Sequence, residues 1–170
     1  MNVKKENITF QGEPLHLQGE QIRIGDKAPD FVAIKNDLSG FVLNSLKGKK
    51  VIISSMPSVD TPVCELQTIK FNNEAAKHED VHVITISEDL PFALGRFCAN
   101  KGISSAMTLS DYKDHDFGHK YGLLIKELNL LARAVIVIDR EGIVKYVEIV
   151  PEITHEPNYE KALAVVEKLD

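Results

Sequence analysis

Over the first twenty residues apolar and polar positions alternate in two short stretches around a turn-forming cluster. Ile8-Thr9-Phe10 and Leu15-His16-Leu17 surround Gly12-Glu13-Pro14, which predicts an N-terminal β-hairpin. Gly25 through Phe31 reads as an extended turn entering a short strand, Phe31 to Ile34, and Phe41-Val42-Leu43 reads as another. The apolar run Val51-Ile52-Ile53, ending in Ser54-Ser55, predicts a central strand buried on both faces. Beyond it the period switches repeatedly. Helices are expected at about 62–77 and 91–100, strands at 81–87 and 107–109, and a short helix at 117–121. Ala134 to Ile138 and Ile143 to Ile149 flank Asp139-Arg140-Glu141-Gly142, a strong hairpin signal. Tyr159 to Leu169 closes the chain as an amphipathic helix. This order predicts an α/β mixed sheet with helices on both faces.

Composition narrows the class. With 170 residues, 44% of them hydrophobic, the chain can bury the core of one domain, expected to span 1–170 with residues 1–19 as a hairpin extension. No run of 18 apolar residues occurs, so no membrane span is expected. Met-Asn-Val-Lys-Lys-Glu-Asn-Ile lacks the apolar stretch of a secretory signal, so a cytoplasmic location is expected. A formal charge of -5 argues against nucleic acid as the main partner. Two cysteines cannot staple a secreted scaffold, and in a reducing compartment a disulfide between them is expected to be transient and catalytic.

Candidate chemistry gathers where the central strand ends. Pro57-Ser58-Val59-Asp60-Thr61-Pro62-Val63-Cys64 joins that strand to a helix. Thr61 suits an N-cap and Pro62 the first helical residue, which puts Cys64 three residues past the cap, among N–H groups lacking carbonyl partners. A helix N-terminus favours an anion, and the thiolate is the nucleophilic form of cysteine. A cysteine without such surroundings is usually inert packing. Arg133 enters an apolar strand, where an unpaired charge is expensive, so it needs a partner. Cys98, among Phe92, Leu94 and Phe97, could be plain core, and Arg96 reads as a solvated surface cation. His115 and His119, like His78 and His82, are spaced i, i+4, but neither pair sits in H-E-x-x-H or beside cysteine ligands, so no metal is expected. No G-x-S-x-G or glycine-rich phosphate loop is present, and no cofactor is expected.

P-S-V-D-T-P-V-C matches the P-x-x-x-T-x-x-C active-site pattern of peroxiredoxins. Ser87-Glu88-Asp89-Leu90-Pro91-Phe92-Ala93, followed by Arg96-Phe97-Cys98, resembles the resolving-cysteine segment of their thiol peroxidase branch. Leu131-Ala132-Arg133-Ala134-Val135 resembles that branch's arginine-bearing strand, and Glu156-Pro157-Asn158-Tyr159 is similar to its near-terminal segment. Together, in order along nearly the whole chain, they resemble the atypical two-cysteine peroxiredoxins of the thiol peroxidase type. The resemblance implies a thioredoxin-like (peroxiredoxin) fold, α/β, with a central mixed sheet flanked by helices and an N-terminal hairpin. It implies Cys64 as peroxidatic and Cys98 as resolving cysteine, Thr61 and Arg133 as peroxide-orienting groups, and Pro57 as a shield over the pocket. It further implies hydrogen peroxide and alkyl hydroperoxides as substrates, thioredoxin as reductant and a homodimer.

Physical chemistry fits each implied role. Pro57 withholds an N–H and stiffens the loop, Thr61 can donate and accept, and Arg133 offers several donors from one fixed cation. A free cysteine, with a pKa near ~8.5, is already roughly a tenth thiolate near neutrality, so full ionisation raises the reactive fraction by only about tenfold. Larger acceleration has to come from donors aimed at the breaking O–O bond. Cys64 and Cys98 are 34 residues apart on separate predicted helices. A disulfide needs Cα atoms within about 7 Å, so local unfolding is expected near 60–66 and 92–100.

Two other functions compete. A thioredoxin-like dithiol–disulfide oxidoreductase is disfavoured because there is no C-x-x-C and no proline between Pro91 and Pro151. A redox sensor would use the same two cysteines as a switch without turnover.

Overall fold

The computed structural model describes residues 8–169. Strands β1 (Ile8–Phe10), β2 (Glu13–Leu15) and β3 (Leu17–Gln18) precede β4 (Val32–Lys35), β5 (Gly40–Val42) and β6 (Lys50–Ser55). Then come α1 (Pro62–Lys77), β7 (Val81–Ser87), α2 (Pro91–Lys101), β8 (Met107–Ser110), α3 (Asp116–Tyr121) and β9 (Leu124–Ile125). The hairpin of β10 (Ala134–Ile138) and β11 (Val144–Ile149) leads to α4 (Tyr159–Glu167). Seven strands form the central sheet in the order β11-β10-β6-β7-β8-β4-β5. β6, β7 and β8 are parallel, while β10 runs antiparallel to β6 with Ala134 opposite Ser55. The parallel strands therefore end where β10 begins, and one edge of the sheet collects the loops after β6, β7 and β8.

Alternation along the strands sorts the core into two layers. Val135 and Val137 of β10 join Phe71 of α1 and Ala162 and Val166 of α4, while Ala134, Ile136 and Ile138 join Phe31, Phe117 and Tyr121 on the opposite face. All five residues of β10 are buried, each worth about 1.5–3 kcal/mol for the larger apolar side chains. The expected mixed sheet with helices on both faces is thus the observed one.

The N-terminal hairpin forms with a different register from the one the alternation suggests. Ile8 pairs with Leu15, Thr9 with Pro14 and Phe10 with Glu13, so Glu13 and Pro14 are strand residues and Gln11-Gly12 make the turn. Both turn residues have positive φ, 50° and 85°, which a two-residue hairpin turn requires. Leu17 departs from the hairpin and pairs instead with Ile125, in a two-stranded ribbon of β3 and β9. Gly19 makes this departure possible. Its φ is 105°, and a Cβ there would lie 2.2 Å from the His119 carbonyl oxygen. Phe41 and Val42 are strand as expected, but Leu43 already starts a 3-10 turn over 43–46.

Candidate active site

α1 starts as its sequence dictates. Thr61 has extended backbone (φ −124°, ψ 151°), its hydroxyl accepts from the Cys64 N–H at 3.3 Å, and Pro62 occupies the first turn. The Cys64 N–H is therefore already satisfied, rather than one of the open donors the sequence suggested. The thiol is fully buried among Met56, Val59 and Leu94, and Pro57 in the preceding loop is buried too. Thr68, one turn on, donates to the Cys64 carbonyl at 2.9 Å.

Arg133 reaches the same point from across the sheet. It precedes β10, is 2% exposed, and its Nη2 lies 3.2 Å from Cys64 Sγ. Nε and Nη2 both donate to the Ile153 carbonyl, at 2.9 and 2.7 Å, and Nη1 donates to Gln67 Oε1 at 2.8 Å. Among the described residues no carboxylate pairs with it. A buried guanidinium held by two neutral oxygens keeps its charge for the sulfur, and an anion there is its natural complement.

Gln67 and the Ile153 carbonyl escaped the sequence reading. Gln67 is fully buried, and its Nε2 donates to Ser54 Oγ at 2.6 Å and to the Ser55 carbonyl at 3.2 Å. It thereby ties the Arg133 guanidinium to the end of β6. One signal for it existed: Gln67 lies three residues after Cys64, on the same face of α1. Nothing in sequence marks a carbonyl such as that of Ile153. Tyr159 packs nearby against Phe71, with ring centroids 5.3 Å apart, and burial followed by its 3.0 Å contact with Glu156 pushes its phenol well above the usual range.

Cys98 is not at this point. It sits half-buried on α2, with Sγ 3.3 Å from Thr108 Oγ1 of β8 and 3.9 Å from Asn36 Nδ2. Both cysteines are free thiols. β8 and β10 are separated by β6 and β7, three strand spacings or roughly 14 Å, so the thiols face different parts of the sheet. Arg96 is exposed on α2.

The His115 ring lies against Glu88, Nδ1 to Oε2 at 2.8 Å, and with Asp111 these side chains place one ligand atom each within 4.8 Å of one another. Burial, then the neighbouring Asp111 charge, push the Glu88 carboxyl up to about 9. Burial raises Asp111 as well, opposed by the N–H groups of Gly118 and Phe117. His78 lies near Glu74 on the surface, at 3.7 Å. No helix of the described residues is long and apolar enough to cross a membrane.

Known proteins share this chain's sequence and fold. Residues 23–163 match the Redoxin family model. The chain is 53% identical over 157 residues to the thiol peroxidase of Halalkalibacterium halodurans, covering 92% of this chain and 95% of that one. It is 51% identical over 162 residues to the thiol peroxidase of Bacillus subtilis, covering 95% and 97%. Among solved structures, a peroxiredoxin-like protein from Aquifex aeolicus superposes with a TM-score of 0.89 at 41% identity, covering 98% and 99% of the two chains. A thiol peroxidase from Chromobacterium violaceum has the same fold, with a TM-score of 0.87 at 21% identity and 97% of each chain covered. By sequence over most of its length, and by a fold shared end to end, the chain belongs to the redoxin family, among its thiol peroxidases.

Proposed function

We propose that the chain, a thiol-dependent peroxidase, reduces hydrogen peroxide and organic hydroperoxides through Cys64. The thiolate attacks the distal oxygen of the peroxide, an S–O bond forms as the O–O bond breaks, and the departing oxygen takes a proton to leave as water or an alcohol. Arg133 steadies the charge on sulfur and on the breaking O–O bond, and the Thr61 hydroxyl orients the peroxide from the other side. Cys98 then displaces water from the Cys64 sulfenic acid to give an intrachain disulfide. A thioredoxin-type dithiol reduces that bond. The observation that carries the reading is the 3.2 Å contact between a buried, carboxylate-free Arg133 and a buried thiol.

The same reading includes one domain over residues 1–170, a cytoplasmic setting and a homodimer. Exposed Leu66, Leu90 and Phe92, all close in sequence to the two cysteine segments, support an apolar contact there.

Kinetics on three proteins test the route. With thioredoxin and either hydrogen peroxide or a bulky hydroperoxide, Cys64→Ser is expected to lose turnover altogether. Cys98→Ser, given one equivalent of peroxide, should consume it and stall as the sulfenic acid. Full cycling of Cys98→Ser with thioredoxin would remove the intrachain disulfide from the mechanism.

A further inference from the structure

Asp89 stands outside the groups assigned to peroxide chemistry, yet its carboxylate joins both cysteine segments. Oδ1 accepts from the Ser58 hydroxyl at 2.7 Å, while Oδ2 accepts from the Val59 N–H at 2.8 Å and the Ser87 hydroxyl at 2.7 Å. Ser58 and Val59 belong to the loop leading to Cys64. Ser58 passes the restraint onward, its hydroxyl accepting from the Asp60 N–H at 3.1 Å and its carbonyl from the Thr61 hydroxyl at 3.4 Å. Asp89 itself lies two residues before Pro91, where the Cys98 helix begins, and its carbonyl accepts from Ser110 Oγ at the end of β8. Beside it, between α1 and α2, is a cleft of about 320 Å³ lined by Val59, Glu65, Ala93, Phe97 and Lys101. Glu65 and Lys101 form a second link across it, at 2.8 Å.

We propose that Asp89 is a positioning residue: a clasp that holds the Cys64 loop closed for peroxide attack and releases before Cys98 can reach the sulfenic acid. The inference rests on the assignment of Cys64 and Cys98 above. Disulfide formation requires Cα atoms within about 7 Å, so the Cys64 loop, α2 or both must leave their present places. Movement of either segment away from the other pulls on the bonds to Ser58 and Val59. Hydrogen bonds to a carboxylate are among the strong ones, and this group accepts three. While the clasp is shut, the sulfenic acid faces a second peroxide instead of a thiol. Attack by its sulfur on that peroxide breaks the O–O bond, adds one oxygen to give the sulfinic acid, and releases an alcohol or water. Release of the clasp favours the competing step, in which the Cys98 thiol forms the S–S bond and water leaves. Asp89 therefore sets the partition between recycling and irreversible oxidation.

Asp89→Asn preserves shape but turns one acceptor atom into a donor that opposes an N–H or a hydroxyl. Stopped-flow measurement on the full chain is expected to show Cys64 oxidation slowed about tenfold and the subsequent disulfide formation accelerated at least about fivefold. Mass spectrometry after excess peroxide should show correspondingly less sulfinic acid. Ser58→Ala removes one of the three bonds and should move both rates the same ways by less, which gives a reading even where Asp89→Asn folds poorly. General loss of structure lowers both rates; only a clasp moves them in opposite directions. Both rates within twofold of wild type, or both reduced, in these variants overturns the proposal. The underlying assignment is read separately, on wild type: absence of a Cys64–Cys98 disulfide there fails that assignment before any Asp89 variant is made.

Discussion

Arg133 is a buried cation whose partners are a thiol, a side-chain amide and a main-chain carbonyl. Each neutral oxygen orients the guanidinium without cancelling its charge. Gln67 is therefore placed to test whether neutrality matters. Gln67→Glu keeps the size and the contact but sets a carboxylate 2.8 Å from Nη1, where it competes with sulfur for the positive charge. The second-order rate of Cys64 oxidation is expected to fall by about 100-fold, the magnitude typical of disabling one oxyanion-stabilising donor. The melting temperature should fall, since the glutamate loses the Nε2 donor to Ser54 Oγ and to the Ser55 carbonyl, so the rate is read at a temperature where the variant is folded. Unchanged oxidation kinetics in folded Gln67→Glu would mean that the charge on Arg133 is not what the sulfur uses.

At the scale of the element, α1 carries its chemistry in its first turn. The helix terminus itself offers an anion only about 0.3–1 kcal/mol, and the cap occupies the Cys64 N–H. Thr61 thus has two separable duties, capping and orienting peroxide. Thr61→Val removes both, and Thr61→Ser retains both. Thr61→Val should lower stability by about 1 kcal/mol, visible as a shift of about 2–4 °C in thermal unfolding, and slow Cys64 oxidation by at least about tenfold. Thr61→Ser should stay within about threefold of wild type. A Thr61→Val protein that is less stable but equally fast would reduce Thr61 to a cap.

Across the whole molecule, the strands that end together bring Glu88 from just beyond β7 and Asp111 from just beyond β8 into one partly buried group with His115, and Asp89 adjoins it. Glu88 has an ordinary value of 4.5 that the fold raises to about 9, so between these the folded state holds a proton the unfolded chain releases. Its stabilising contribution is full below pH 4.5 and is lost as pH rises through about 9; the raised Asp111 acts with the same sign. Urea midpoints of the wild type are expected to decline from pH 6 to pH 9 more steeply than those of Glu88→Gln, which cannot titrate. Parallel declines in the two proteins would show that Glu88 already ionises freely in the folded state.

Nearly every element that positions the site is legible locally. The Thr61-Pro62 start of α1, the buried run of β6 and the β10–β11 hairpin each depend on residues within a few positions of one another, so periodicity and capping chemistry suffice to find them. The N-terminal register was less accessible, because the departure of Leu17 toward Ile125 answers to a partner over a hundred residues away. The site divides in the same manner. Motif and resemblance single out Cys64, Thr61, Arg133 and Pro57, but the contact between Cys64 and Arg133 spans 69 positions and needs β6 paired with β10 to exist. Gln67, Asp89 and the Ile153 carbonyl become meaningful only once the chain is packed. A residue's type states what bonds it can make, and local order states how its backbone runs. Which groups share a desolvated space, and so which charge is left for the sulfur, follows from distant segments excluding water together.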